Sequence, residues 1–170
     1  MIRLAERKDV PSMLEIFNHA VMHSTAIYAY EPQTLAERFS WYERKLDRLE
    51  PVIVYEEAGT VAGYATYGAF RNFPAYKYTV EHSIYVAPEH QGKGIGNSLL
   101  EAVIESASRR GYRTLVAGID AANAGSIAIH EKFGFSHSGT IREAGFKFGR
   151  WLDLAFYQLT LDGPDEPQDG

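Results

Sequence analysis

Apolar positions change period along this chain, and the changes predict its elements. Ile2-Arg3-Leu4 alternates as a short strand. Behind Asp9, a residue type that caps helices, Met13, Leu14, Ile16, Phe17 and Val21 fall at helical spacing. That helix fades at His23-Ser24-Thr25, an aromatic loop covers Tyr28 to Pro32, and a second helix is expected from near Thr34 to about Leu46. Pro51 to Tyr55 and Val61 to Tyr67 read as strands joined through Glu57-Ala58-Gly59-Thr60, a hairpin signal, and Tyr78 to Val86 reads as another strand. Leu99, Leu100, Val103, Ile104 and Ala107 form the apolar stripe of a helix from Asn97 to Arg110, which Gly111 terminates. Thr114 to Ile119 follows as a buried strand and Ser126 to Lys132 as a helix. Phe135 to Thr140 and Leu152 to Leu159 read as a last strand pair separated by an excursion from Ile141 to Trp151.

This succession predicts an α/β fold, one mixed sheet with helices on both faces, in a single domain over residues 1–161. Residues 162–170 are acidic and rich in Pro and Gly, a composition expected to be disordered. At 170 residues and 45% apolar, the chain is long enough for one well-packed core. The absence of cysteine excludes disulfides, thiolate metal sites and a cysteinyl acyl-enzyme. Met1 to Arg7 is charged, and no run is long enough to span a bilayer, so a cytoplasmic protein with no membrane partner is expected. A net charge of −5 with scattered Lys and Arg argues against a nucleic-acid partner.

The segment Gln91-Gly92-Lys93-Gly94-Ile95-Gly96-Asn97 sits between a strand and a helix, and this makes it a candidate anion site. Glycines let the backbone turn and leave amides uncovered at the positive end of the helix dipole. The nucleoside-triphosphate loop fails on spacing, because Gly94 is not followed by Lys-Ser/Thr. The dinucleotide pattern holds at Gly92 and Gly94 but meets Asn97 where a third Gly belongs, although Asp120 stands where a ribose-binding acid would. The pattern Gln/Arg-x-x-Gly-x-Gly/Ala is met by Gln91, Gly94 and Gly96. In this it resembles the pyrophosphate loop of the GNAT N-acetyltransferases, as do Asn123-Ala124-Gly125-Ser126 and Lys132-Phe133-Gly134-Phe135 downstream.

The resemblance narrows further along the chain. Thr79-Val80-Glu81, Glu31-Pro32-Gln33-Thr34, Ala144-Gly145-Phe146-Lys147 and Gly149-Arg150-Trp151 are similar to the phosphinothricin N-acetyltransferases. Glu81-His82-Ser83 and Lys147 to Leu154 are similar to their methionine sulfoximine/sulfone-acetylating relatives. Phe148 stands where phosphinothricin-type members have His, so the substrate pocket is a mosaic of the two branches. The resemblance implies a GNAT fold with a mixed, mostly antiparallel sheet, acetyl-CoA as donor, a small amino-acid analogue as acceptor, direct attack in a ternary complex, and a homodimer. It also implies acetyl-CoA contacts at Ile84, Tyr85, Val86, Gln91, Gly92, Lys93, Gly94, Ile95, Gly96, Asn97, Asn123 and Ser126. Acceptor contacts are implied at Arg71, Asn72, Phe73, Glu81, His82 and Ser83.

Chemistry singles out a few of these residues. An alkylammonium has no lone pair at neutral pH, so attack on a thioester needs a base, and Glu81, in a strand otherwise made of β-formers, is a carboxylate suited to it. Arg71 can pair with an acceptor's carboxylate, with Lys77, Arg142 and Lys147 as weaker candidates. His130 stands where GNAT enzymes commonly carry a Tyr and is the candidate acid for the departing thiolate. A coenzyme A thiol, at a pKa of roughly 8.5, can also leave without that help. His19 and His23 share a helix face but lack the Glu of a metalloprotease motif, and no metal is expected.

Overall fold

The computed structural model describes all 170 residues, Met1–Gly170. The elements follow in the expected order: β1 (Ile2–Leu4), α1 (Val10–His23), α2 (Leu35–Asp47), β2 (Val52–Glu57), β3 (Thr60–Ala69), β4 (Thr79–Val86), α3 (Ile95–Arg109), β5 (Thr114–Asp120), α4 (Ala124–Lys132), β6 (Ser136–Lys147) and β7 (Arg150–Thr160). The strands hydrogen-bond in the order β1-β2-β3-β4-β5-β7-β6, with β4 and β5 parallel and β1/β2, β2/β3, β5/β7 and β6/β7 antiparallel. The chain forms two compact units: Met1–Tyr67 with Ser83–Val103, and Gly68–His82 with Ile104–Gly170.

In the first unit, Val10, Met13 and Ile16 of α1 and Tyr42 of α2 pack on Val52, Val54, Val61 and Tyr64. Each such aliphatic side chain removed from water contributes about 1.5–3 kcal/mol. The β2–β3 hairpin turns on Ala58 (φ 50°) and Gly59 (φ 79°), the doubly left-handed pair that matches the twist of the flanking strands. Thr34 caps α2 reciprocally: its hydroxyl accepts from the Glu37 N–H (3.2 Å), and the Glu37 carboxylate accepts from the Thr34 N–H (2.6 Å). Asp9 departs from the expected cap. Its carboxylate makes no cap bond to α1 but takes a bidentate pair from Arg3 (2.7 and 2.9 Å) and the Glu6 N–H (2.7 Å), and the Arg3 guanidinium holds its carboxyl below the usual range.

In the second unit, Thr79–His82 of β4 lies beside β5 with Glu81 opposite Val116, and β5 pairs with β7 so that Gly118 faces Phe156. The expected excursion from Ile141 to Trp151 is instead strand, because β6 continues to Lys147 and turns on Phe148-Gly149 into β7. A register shift between Ile141 and Gly145 absorbs the extra residues. Glu143 takes a left-handed φ of 53° there, and its N–H donates to the Asp153 carboxylate (2.8 Å). Helix α3 begins two residues before the expected Asn97, since Ile95 is buried and its first turn tolerates Gly96. The segment after β7 has neither helix nor strand, and its Gln168 N–H donates to the Tyr78 hydroxyl (3.0 Å).

Candidate active site

Gly92 (φ 77°) and Gly94 (φ 80°) both occupy the left-handed region, where a Cβ is strained, and open space lies where their Cβ atoms would be. The loop therefore turns into α3 with its backbone bare. The Gly94 carbonyl accepts from the Ser98 N–H (3.2 Å) and closes the first helical turn. By helix geometry, the amides of Ile95, Gly96 and Asn97 have no carbonyl of their own and point out along the axis. Lys93, half exposed, and His90 border this turn. Both approach the Glu57 carboxylate, His90 Nδ1 at 2.7 Å and Lys93 Nζ at 3.7 Å. Inside the first turn, Asn97 Oδ1 is buried with no donor. Bare amides and a flanking cation suit a diphosphate, which acetyl-CoA carries.

Glu81 lies in the second unit on the face of the β4–β5 ladder that also carries Thr79, Thr114 and Val116. Burial pushes its carboxyl above the usual carboxylate range, and the nearby Arg71 charge pulls part of that rise back. The carboxylate rests against Gly118 of β5: a Cβ there would stand 3.1 Å from Oε2. Sequence reasoning did not single out Gly118, because only the β4–β5 register puts it on the same face as Glu81, two residues along from Val116. Arg71, Asn72 and Phe73 are exposed on the bend after β3, and the Arg71 guanidinium lies 5.4 Å from the Phe70 ring. On the same face a cavity of about 450 Å³ is walled by Phe70, Tyr76 and Phe156 and floored by Thr79, Thr114 and Val116; no ionisable side chain except the Tyr76 phenol lines it.

His82 points the other way, as strand alternation requires, and does not meet Glu81's face. It is buried, stacked on His130 (5.1 Å between ring centres, 21° apart) and edged by Phe135. The bonding pattern sets the tautomers. The Ser126 carbonyl can only accept, so His130 Nδ1 carries the hydrogen (2.7 Å); neutral His130 then accepts at Nε2 from the Nε2–H of His82 (2.9 Å). His82 Nδ1 is buried, and the Val116 backbone beside this ring works against the lowering of its pKa. Burial first and the His130 neighbour second push His82 down to about 3, and burial also lowers His130, so both rings are neutral. Both nitrogens of His130 are thus committed. Asn123 caps α4 by accepting the Ser126 N–H (3.1 Å), and Asp120 turns its carboxylate to the Ala122 N–H (3.0 Å), closing the β5–α4 turn. Lys147 is buried on β6, where burial lowers its ammonium. His19 and His23 lie 4.6 Å apart between ring centres on α1, and no group of three metal-ligating side chains forms anywhere in the chain.

Comparison with known proteins places the chain in a family. The model of the acetyltransferase (GNAT) family matches residues 12–135. The chain is 47% identical over 161 residues to the L-methionine sulfoximine/L-methionine sulfone acetyltransferase of Salmonella typhimurium, covering 95% of this chain and 94% of that protein. It is 37% identical to the phosphinothricin N-acetyltransferase of Streptomyces viridochromogenes, covering 98% and 91%. The solved structure of yncA from Salmonella typhimurium with its cofactor acetyl-CoA superposes with a TM-score of 0.95 at 46% identity, covering 99% of this chain and 97% of that one.

Proposed function

We propose that this chain, which belongs to the acetyltransferase (GNAT) family, moves an acetyl group from acetyl-CoA to the α-amine of a small amino-acid analogue of the methionine sulfoximine, methionine sulfone or phosphinothricin type. The observation that carries the mechanism is Glu81, a half-buried carboxylate whose pKa is raised by its surroundings and which has Arg71 within electrostatic reach. Acetyl-CoA, when bound, supplies an acyl carbon already activated by a thiolate leaving group. The amides of the loop from Gly92 to Asn97 hold the diphosphate, and the backbone of Ile84 to Val86 lies along the amide-bearing arm and orients the reacting carbonyl. Glu81 accepts a proton from the acceptor's ammonium and frees the lone pair that forms the C–N bond; as the C–S bond breaks, the second proton lost from nitrogen goes to the departing thiolate, giving the amide and the free thiol. A carboxyl with a raised pKa is the stronger base once ionised.

Arg71 pairs with the acceptor's carboxylate, and the acceptor's side chain extends from Glu81 into the cavity beside Phe70, Tyr76 and Phe156. That cavity offers rings, hydroxyls and an amide but no cation, so we rank neutral sulfone and sulfoximine side chains above an anionic phosphinate. His130, with both nitrogens bonded, is read as holding His82 rather than as the acid for the thiolate. We assign the activity to residues 1–161 as one catalytic domain, and to the cytoplasm, where acetyl-CoA is available. Two copies are proposed to associate through the β6–β7 hairpin, whose Ile141 (53%), Phe148 (57%) and Trp151 (60%) are exposed to an extent that favours covering. Sedimentation equilibrium of the wild type against Trp151→Ser checks this, with a shift towards monomer expected.

Turnover of methionine sulfone, methionine sulfoximine, phosphinothricin and a peptide amine at saturating acetyl-CoA tests the whole reading. The expected order places sulfone and sulfoximine first. Turnover confined to the peptide overturns it.

A further inference from the structure

Arg38 of α2 is 2% exposed, and no acidic side chain pairs with it. Its Nη2–H donates to the Tyr64 hydroxyl and its Nη1–H makes a long contact to Gln33 Oε1 (3.4 Å), while Nε has no partner at all. The guanidinium instead lies over rings: 3.6 Å from the centre of Trp41, 4.5 Å from Phe17 and 5.2 Å from Tyr64. Burial lowers its pKa, the mark of a cation held where water is excluded. A buried charge without a counter-ion is costly, and packing alone would be served as well by an apolar side chain of similar volume. Cation–π attraction offsets part of the cost but does not require a group with five donors.

What the cation organises is Tyr85 of β4. Two of the rings it holds, Phe17 and Tyr64, flank the Tyr85 ring at 6.2 Å (82°) and 5.3 Å (48°). On the other side the backbone leaves no slack: a Cβ on Gly63 would stand 2.9 Å from the Tyr85 carbonyl oxygen. The same guanidinium touches Gln33, whose main chain is held at both ends by Asn18, with Gln33 N–H to Oδ1 at 2.8 Å and Nδ2–H to the Gln33 carbonyl at 2.9 Å. One buried cation therefore joins the end of the α1–α2 loop to the aromatic cluster around Tyr85.

We propose that Arg38 is a positioning residue for the acetyl donor: through Phe17 and Tyr64 it fixes the ring of Tyr85, and with it the backbone of Ile84 to Val86 that lines the donor's amide-bearing arm. The inference rests on the reading of that strand segment as an acetyl-CoA contact. Arg38 touches no reacting atom, so its loss falls on donor binding rather than on chemistry. Arg38→Met keeps the volume but removes the planar cation and strands the Tyr64 hydroxyl; Tyr64→Phe removes only the acceptor of the hydrogen bond.

Acetyl-CoA affinity measured by calorimetry on wild type, Arg38→Met, Arg38→Lys and Tyr64→Phe tests this, with melting temperature as the folding control and kcat at saturating donor as the second readout. Arg38→Met is expected to weaken acetyl-CoA about tenfold and Tyr64→Phe about threefold, with kcat changed less than about twofold. Lysine, which cannot stack as a plane or span two partners, restores less than half of the loss. If Arg38→Met does not fold, Tyr64→Phe alone decides. Wild-type donor affinity in every folded variant overturns the inference. Failure of the wild type itself to bind acetyl-CoA overturns the underlying reading instead.

Discussion

The Glu81 carboxylate rests on the bare Cα of Gly118, two residues along β5 from Val116, its partner in the β4–β5 ladder, in space that a Cβ at 118 would take to within 3.1 Å of Oε2. Leu154 stands 3.4 Å from the same point on its other side, so a methyl there pushes the carboxylate rather than the aliphatic wall. Gly118→Ala is therefore expected to lower kcat by roughly 10-fold or more through misplacement of Glu81, the proposed base, with acetyl-CoA affinity unchanged. Steady-state kinetics beside calorimetric donor binding checks the split.

Glu81→Gln removes the proposed base and is expected to cost about 10²–10⁴ in kcat. In the wild type, the ionised form must be present for activity, so the acid limb of kcat/KM lies above the ordinary glutamate pKa. The linkage runs in the opposite sense. Because the folded-state pKa is raised, this carboxyl favours the fold when protonated, and that contribution is lost as pH rises through the raised value. At pH 7 Glu81→Gln should accordingly melt higher than wild type. A variant that is inactive and also melts lower would mean that Arg71 needs the charge for structure.

The His82–His130 pair has the reverse sign. Both rings are held neutral, His82 down to about 3 against an ordinary value of 6.5, so the unfolded chain binds more protons across that interval. Stability from the pair is complete above pH 6.5 and is lost as pH falls toward 3. Replacing His82 by Phe should flatten the acid side of the plot of melting temperature against pH. His130→Phe should leave the alkaline limb of kcat in place, because no proton is passed to the thiolate from that ring. Disappearance of that limb would restore His130 as the acid.

Gly94 sits at φ 80° with open space around its missing Cβ, so alanine there clashes with nothing but must hold a left-handed backbone. Gly94→Ala should cost about 1–2 kcal/mol of loop strain and relax the turn away from the form proposed to hold the diphosphate. Acetyl-CoA affinity is expected to fall at least about tenfold, with the melting temperature lowered by only a few degrees. Isothermal titration and thermal unfolding on the same sample separate the two effects.

Several elements were legible because their signals are local. Thr34 and Glu37 announce a helix start three residues apart, Ala58-Gly59 a tight hairpin, and Gly92 and Gly94 a loop with bare amides. The strand from Ile141 to Lys147 was hidden because Arg142 and Glu143 break the alternation and the bulge spends residues without partners. Asp9 resembled a cap, yet the bidentate pull of Arg3 took its carboxylate elsewhere. Glu81 was legible as a carboxylate in a strand otherwise made of β-formers; its seat on Gly118 was not.

From its sequence alone this chain determined the order of its elements, the glycine turn before α3 and the lack of thiol chemistry, since period, φ preference and composition act within a few residues. Only the folded molecule decided that His82 meets His130 across 48 residues and Arg38 meets Tyr64 across 26. Those partners are chosen by strand register and by the packing of α2 and α4 on the sheet, and no periodicity encodes which residue will stand opposite another. Protonation follows the same division: the types of the titratable groups are written in the chain, while their burial, and hence which of them stay neutral, belongs to the tertiary structure.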